Sequence, residues 1–258
     1  MTPVPTQEHE VSTGARPLGQ PAVAPEAAAQ SVQSMFNAIA GRYDLLNHVL
    51  SAGIDHLWWW RAARSVRAIL ARPEAIVADL CCGTGDMTLA LLRRRPSTPS
   101  TEPLLAVDFS HEMLSRGNDK FRNKNVIALE ADALHLPLPT NSADLISAAF
   151  GFRNLADYGE GLTELFRALR PGGEIAILEC NQPEGLVGAL YNLYFKKILP
   201  RIGALVSDGE AYSYLPASVE RFPRPPRMLE LIRQAGFVDG RWTSYTFGVA
   251  GLYQARKP

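Results

Sequence analysis

An α/β fold built on a mostly parallel sheet, with helices on both faces, is what this sequence predicts. The first observation is alternation: after Pro73, AIVADL precedes MTLALLRRR, LLAVDFS precedes HEMLSRGNDKF, and DLISAAF precedes GLTELFRALRPGG. The second is that these short runs, with VIALEADA and EIAILEC, are apolar almost throughout. Strands buried on both faces read this way, and their alternation with helices marks right-handed βαβ crossovers. The third lies at the C-terminus, where RWTSYTFG and VAGLYQARK meet at Gly248. So short a separation predicts an antiparallel hairpin closing the sheet edge.

The remaining elements follow in chain order. Residues 1–28 are rich in Pro, Ala, Gly and Thr without periodicity, a composition expected of a disordered tail ahead of one domain over 29–258. From Ser31, the positions Val32, Met35, Phe36, Ile39, Tyr43, Leu46, Val49 and Leu50 recur at helical spacing until Ser51-Ala52-Gly53. A second helix carries Trp59, Ala62, Ala63, Val66 and Leu70 on one stripe. Trp58, Trp59 and Trp60 point ~100° apart on that helix, so at least one is left for a pocket rim or a membrane interface. Residues 184–222 break the β/α rhythm with GLVGALYNLYFKKILPRIGALV and SDGEAYSYLPASVERFP, which reads as an inserted helical cover. RPPRMLELIRQAGF then predicts one more helix before the hairpin.

Bulk composition narrows the function. With 26 basic and 26 acidic residues the net charge is zero, so nucleic-acid binding through bulk positive charge is not expected. Three cysteines, Cys81, Cys82 and Cys180, are too few and too oddly numbered for a disulfide framework. With no other Cys or paired His nearby, no metal is expected. A run of ~18 apolar residues is lacking, and the N-terminus has no basic start followed by an apolar core, so a cytoplasmic protein is expected.

DLCCGTGD, residues 79–86, sits at the first strand-to-helix junction. In an open parallel sheet, ligands bind at such junctions, near the point where strand order reverses. Gly83 and Gly85 let backbone approach a ligand, and the helix that follows offers free N–H groups. The loop is not GxGxxG, the pattern that seats a pyrophosphate. Asp79 and Asp86 instead flank it, a setting that disfavours phosphate and favours a cationic ligand. S-adenosylmethionine fits, with its ammonium and sulfonium and no phosphate. Asp108, ending the next strand in AVDFS, is expected to take the ribose diol, with Asp132 and Ala133 of EADALHLPLP beside the adenine. Cys81 and Cys82 are then compact neighbours of the ligand.

From about Gln33 to the end, the chain resembles the ubiquinone/menaquinone biosynthesis C-methyltransferases, a family of class I S-adenosylmethionine-dependent enzymes. The resemblance rests on MFNAIAGRYDLLNHVLSAGIDHLWWW, DLCCGTGD, AFGFRNL, LRPGGEIAILE and LPRIGALVSDGEAYSYL, in that order. It implies a Rossmann-like seven-stranded sheet, a polyprenylated quinol substrate, and cofactor contacts at Thr84, Asp108, Asp132 and Ala133. Three departures stand out: Ala149 where many members carry Ser, Asn181 where Ser is frequent, and Asp55-His56 where His often precedes a basic residue.

Carbon methylation needs an electron-rich ring carbon in line with the sulfonium methyl, so positioning and charge stabilisation should dominate. On the resemblance, Arg153 in GFRN stabilises a developing quinolate, Tyr43 bonds the second ring oxygen, and Asn154 orients either group. A water, Asp44 and His48 are all open as the base. Leu186, Leu190, Tyr194, Phe195, Ile198 and Leu199 of the cover are candidates for the groove that takes the prenyl tail. Arg61, Arg64 and Arg67 beside the tryptophans raise transient contact with an anionic membrane surface, against a solvated basic face. The CCGT loop and the short N-terminus favour demethylmenaquinol over a benzoquinol. Another lipophilic phenol, a nicotinamide oxidoreductase on a similar sheet, and a catalytically silent binding protein are the alternatives, and a second copy of the chain is a candidate partner.

Overall fold

The computed structural model describes residues 32–38, 40–41, 51, 53–96, 101–193 and 210–258. The tail expected over 1–28, and Tyr43, Asp44, His48, Tyr194, Phe195, Ile198 and Leu199, lie outside the described residues, as do the side chains of Leu186 and Leu190.

In chain order the helices and strands of the described residues are α1 (32–38), α2 (Asp55–Ser65), which Val66 separates from a single further turn at Arg67–Leu70 where one continuous helix was expected, β1 (Val77–Leu80), α3 (Asp86–Leu92), β2 (Leu104–Asp108), α4 (His111–Phe121), β3 (Val126–Glu130), β4 (Ala143–Ala149), α5 (Tyr158–Ala168), β5 (Leu169–Cys180), α6 (Gly185–Leu193), α7 (Glu210–Arg221), α8 (Pro225–Gln234), β6 (Val238–Tyr245) and β7 (Ala250–Arg256). The strands form one seven-stranded sheet in the order β3-β2-β1-β4-β5-β7-β6. β1 to β5 pair in parallel, whereas β7 runs antiparallel to both β5 and β6. The hairpin therefore folds back so that β7 lies inside and β6 forms the edge.

Local chemistry sets the element ends. Ser110 caps α4 by accepting from the Met113 N–H at 3.2 Å, and Asp157 caps α5 by accepting from Glu160 N–H at 2.9 Å. Paired prolines open α8, where missing N–H groups cost nothing, and Gly236 follows its end with φ +100°. One expectation is corrected here: GLTELFRALRPGG is not helical throughout, because β5 begins at Leu169. The C-terminal strand draws that segment into the sheet, with Gly172 N–H donating to Lys257 C=O and Lys257 N–H to Gly173 C=O, each at 2.9 Å.

Neighbouring strand residues point to opposite faces, which is why the central strands β1, β2, β4 and β5 are apolar at most positions, whereas the edge strand β6 is polar and largely exposed. Val77, Leu145, Ala176 and Leu178 pack with Ala62, Ala63, Leu70 and Leu91 on one face. Ala78, Ile146, Ile175 and Ile177 pack with Leu162, Leu165, Met228 and Ile232 on the other. Strand order reverses between β1 and β4, so a ligand cleft is expected beyond the C-terminal ends of those two strands.

Candidate active site

A cleft of about 390 Å³ opens there, lined by Cys81, Gly83, Asp108, Phe109, Glu130, Asp132, Ala133, Phe150, Gly151, Asn154 and others. Backbone strain gathers at its mouth. Cys81 at the end of β1 and Phe150 at the end of β4 adopt φ of +50° and +58°, a left-handed conformation uncommon for such residues. Gly151 makes this possible, since a Cβ there would collide with Cys81. Gly85 has φ +90°, and a Cβ at that position would strike the Phe121 ring. The glycine loop thus holds its shape by packing as well as by permissive φ.

Asp108 organises the floor. One carboxylate oxygen accepts from Gly83 N–H at 2.8 Å and the other from Ser110 N–H at 2.9 Å. Burial pushes this carboxyl up to about 6, while those backbone donors pull the other way. Asp132 lines the rim, its side chain accepting from Leu134 N–H at 2.9 Å, and Ala133 is buried beside it.

Asp79 and Thr84 sit elsewhere, around a smaller recess that also touches Cys81, Cys82 and Asp86. Both Asp79 oxygens are taken, by the Thr88 and Ser147 hydroxyls at 2.6 Å each, and burial pushes its carboxyl up to about 6. Asp79 braces the loop from beneath. Lys120 Nζ lies 2.9 Å from Asp86 and 3.0 Å from the Thr84 hydroxyl, so Asp86 is neutralised. The negative field expected from Asp79 and Asp86 comes instead from Asp108, Glu130 and Asp132. Among the described residues, no lysine or arginine lines the cleft.

This donor set fits S-adenosylmethionine on its chemistry. Three carboxylates and apolar walls suit a cationic, phosphate-free ligand; Glu130 lies 2.9 Å from His111 Nδ1 and Asp132 3.7 Å from His135 Nδ1, so Asp108 is the carboxylate a pyrophosphate would meet without such a partner. Burial, with Asp108 second, pushes the Cys81 and Cys82 thiols well above their usual range, so both stay thiols.

The roof was not expected. Gln33 and Phe36 of α1 line the cleft; Gln33 Nε2 donates to Phe109 C=O at 2.5 Å, and the Ser110 hydroxyl donates to Asn37 Oδ1 at 2.5 Å. Helical periodicity at Phe36 announced a buried face, but nothing local said what it would cover.

Asn154 lines the cleft from the single helical turn Phe152–Asn154. The Tyr214 hydroxyl of α7 donates to its Oδ1 at 3.0 Å, which leaves the amide NH₂ as the free donor. Arg153, given a direct role above, points away from the cleft lining and is 6% exposed. Its Nη1 lies 2.9 Å from Glu179 and also donates to Phe150 C=O, while its Nε reaches the Ser218 hydroxyl at 3.3 Å. A solvated surface pair is thereby ruled out, and the charge already has its counterion. Arg221, four residues short of α8, brings a second guanidinium to 5.6 Å from the Tyr214 ring centroid. By distance and angle, its three buried nitrogens have no hydrogen-bond partner among the described residues, and Tyr214 is the neighbour they interact with. Tyr43 lies outside the described residues, so the structure does not place it.

Comparison with known proteins agrees with this geometry. A model of the ubiE/COQ5 methyltransferase family matches residues 25–257. The demethylmenaquinone methyltransferase of Deinococcus radiodurans is 44% identical over 232 residues, covering 88% of this chain and 93% of that protein. The demethylmenaquinone methyltransferase of Thermus thermophilus is 42% identical over 228 residues, covering 87% of this chain and all of that protein (100%). In fold, the chain is similar to an S-adenosylmethionine-dependent methyltransferase from Thermotoga maritima described as a possible histamine N-methyltransferase. That match has TM-score 0.62 and 17% identity, and covers 88% of this chain and 99% of the other. The chain belongs to the ubiE/COQ5 methyltransferase family.

Proposed function

We propose that this protein transfers a methyl group from S-adenosylmethionine to a ring carbon of a polyprenylated quinol, with demethylmenaquinol as the substrate. The observation that carries the reading is the carboxylate-lined cleft, with no lysine or arginine among its described lining residues, that abuts an oriented amide donor at Asn154. Relatives named demethylmenaquinone methyltransferase, at 44% and 42% identity, support the substrate.

When bound, S-adenosylmethionine supplies an electrophilic methyl group. Asp108 takes the ribose diol, Asp132 and Ala133 flank the adenine, and Gly83 allows close backbone approach; Asp79, Thr84 and Gly85 hold the loop in shape. The Asn154 NH₂, held by Tyr214, donates to the quinol oxygen that becomes anionic as its proton leaves. Arg153 acts as a positioning residue, fixing the Phe152–Asn154 turn against Glu179. Arg221, beside the ring of the Tyr214 that holds Asn154, adds a positive charge near the donor and so favours a developing quinolate. Tyr43 takes the second ring oxygen.

The enzyme works beside the bilayer that holds its prenylated substrate. Among the described residues no helix is long and apolar enough to cross a membrane. Peripheral contact is supported by Ile54, Leu57 and Trp60, spaced three apart on one face and 38%, 51% and 46% exposed, with Arg61 and Arg64 alongside. Trp58 and Trp59 are buried, so Trp60 is the tryptophan left for the interface.

Short-chain demethylmenaquinol and the corresponding benzoquinol, each incubated with S-adenosylmethionine and analysed by mass spectrometry, test the assignment. A product of demethylmenaquinol carrying one added methyl group is expected. Turnover of the benzoquinol alone would move the substrate, and turnover of neither would overturn the quinol assignment.

A further inference from the structure

A second cleft, of about 500 Å³, lies on the far side of the sheet, between α2 and the β6–β7 edge. Its lining includes Trp60, Arg61, Arg64, Ser65, Arg67, Thr243, Tyr245 and Gln254, and no carboxylate among the described residues. Among the described residues, none of the three arginines is paired with an acid. Aromatic rings hold two of them in place: Arg61 sits 4.4 Å from the Tyr245 ring centroid, and Arg64 5.3 Å from that of Trp60. Arg94 approaches the same Trp60 ring at 5.1 Å.

The independent observation is Gln254. This β7 residue is 3% exposed, borders the cleft, and its Nε2 has no hydrogen-bond partner. Buried amide donors in folded proteins are almost always satisfied, so an acceptor is missing from this position. A neutral acceptor alone would leave three clustered guanidiniums unanswered, whereas an anion with several oxygens answers both needs. Guanidinium forks match the oxygens of phosphate, and the Thr243 hydroxyl adds a neutral donor, whereas the Ser65 hydroxyl already donates to Ala62 C=O at 2.7 Å.

We infer that this cleft is a phosphate-binding site, distinct from the methyl-transfer cleft and independent of its substrate. The phosphate belongs either to an anionic lipid headgroup or to a free phosphate-bearing molecule. The former would lodge a headgroup beside the exposed Leu57 and Trp60, anchoring the enzyme in one orientation.

The test uses the full chain, wild type beside Gln254→Met and Arg61→Ala/Arg64→Ala. Binding of inorganic phosphate is followed by calorimetry, and vesicle binding by co-sedimentation with phosphatidylcholine alone or mixed with phosphatidylglycerol. S-adenosylmethionine affinity and turnover of a short-chain quinol report that each variant is folded. Removal of one charge-assisted contact corresponds to about tenfold in affinity, so Arg61→Ala/Arg64→Ala should lose at least that much and Gln254→Met somewhat less. Rising salt should weaken wild-type binding. Dependence of phosphatidylglycerol vesicle binding on Gln254 and the arginines assigns the headgroup; dependence of inorganic phosphate binding alone assigns a free ligand. Wild type that binds neither probe, or variants that bind both as tightly as wild type with S-adenosylmethionine affinity intact, would overturn the site.

Discussion

Two clefts on one small sheet carry opposite charge. Among the described residues, the one beyond β1 and β4 is lined by Asp108, Glu130 and Asp132 without a lysine or arginine; the one between α2 and the sheet edge gathers Arg61, Arg64 and Arg67 without an acid. Their chain totals 26 charges of each sign. Net charge therefore says nothing about what this protein binds; the placement of each charge at a strand end or on a helix face does. In the acidic cleft Asp108 and Asp132 are positioned by backbone donors and Glu130 by His111, whereas in the basic one Arg61 and Arg64 are positioned by aromatic rings.

The largest expected effect comes from the arginine that belongs to neither cleft. Arg153→Ala leaves Glu179 buried without its counterion and should cost about 3–5 kcal/mol of stability in denaturant unfolding. Arg153→Met with Glu179→Gln should cost far less; equal losses would mean the pair is not the reason. Gly85→Val comes next. It must adopt φ +90° and displace the Phe121 ring, so it should lose about 2 kcal/mol or more and all detectable S-adenosylmethionine binding.

Asp108→Asn sharpens the contrast at a single charge. Loss of one charged contact should weaken S-adenosylmethionine by about tenfold or more in equilibrium binding. Because burial pushes Asp108 up to about 6, wild-type affinity should rise as pH climbs through that value and level off above it, and the variant should lose this rise. Stability moves the other way. The unfolded carboxyls titrate near ~4, so between there and about 6 the folded chain retains protons on Asp79 and Asp108 that the unfolded chain has released. Their contribution therefore falls as pH rises across that window, which thermal unfolding at successive pH values will show. The smallest effect is at the cysteines: Cys81→Ala with Cys82→Ala should cost about 1 kcal/mol and leave methyl transfer largely intact in turnover assays.

Much of this was legible in the residues. Continuous apolar runs marked β1, β2, β4 and most of β5, and acids ending them marked Asp108 and Asp132, because burial on both faces and a fixed side of the sheet leave few other places for such residues. What could not be read depends on contacts far apart in the chain. Lys120 neutralises Asp86 across 34 residues, and Tyr214 fixes Asn154 across 60. Arg153 stands in GFRN like a catalytic cation, and only the fold brings Glu179 to it. The basic cleft was half visible as arginines beside tryptophans on α2, but Gln254 joins it from the last strand, where nothing local distinguishes it.

The contrast between the clefts is tested most directly by equilibrium binding of S-adenosylmethionine and of NADH to the same preparation. S-adenosylmethionine should bind to wild type and far more weakly to Asp108→Asn, with NADH absent from the acidic cleft. Binding of NADH that Asp108→Asn alters, without S-adenosylmethionine binding, would contradict a cleft built for a cationic, phosphate-free cofactor.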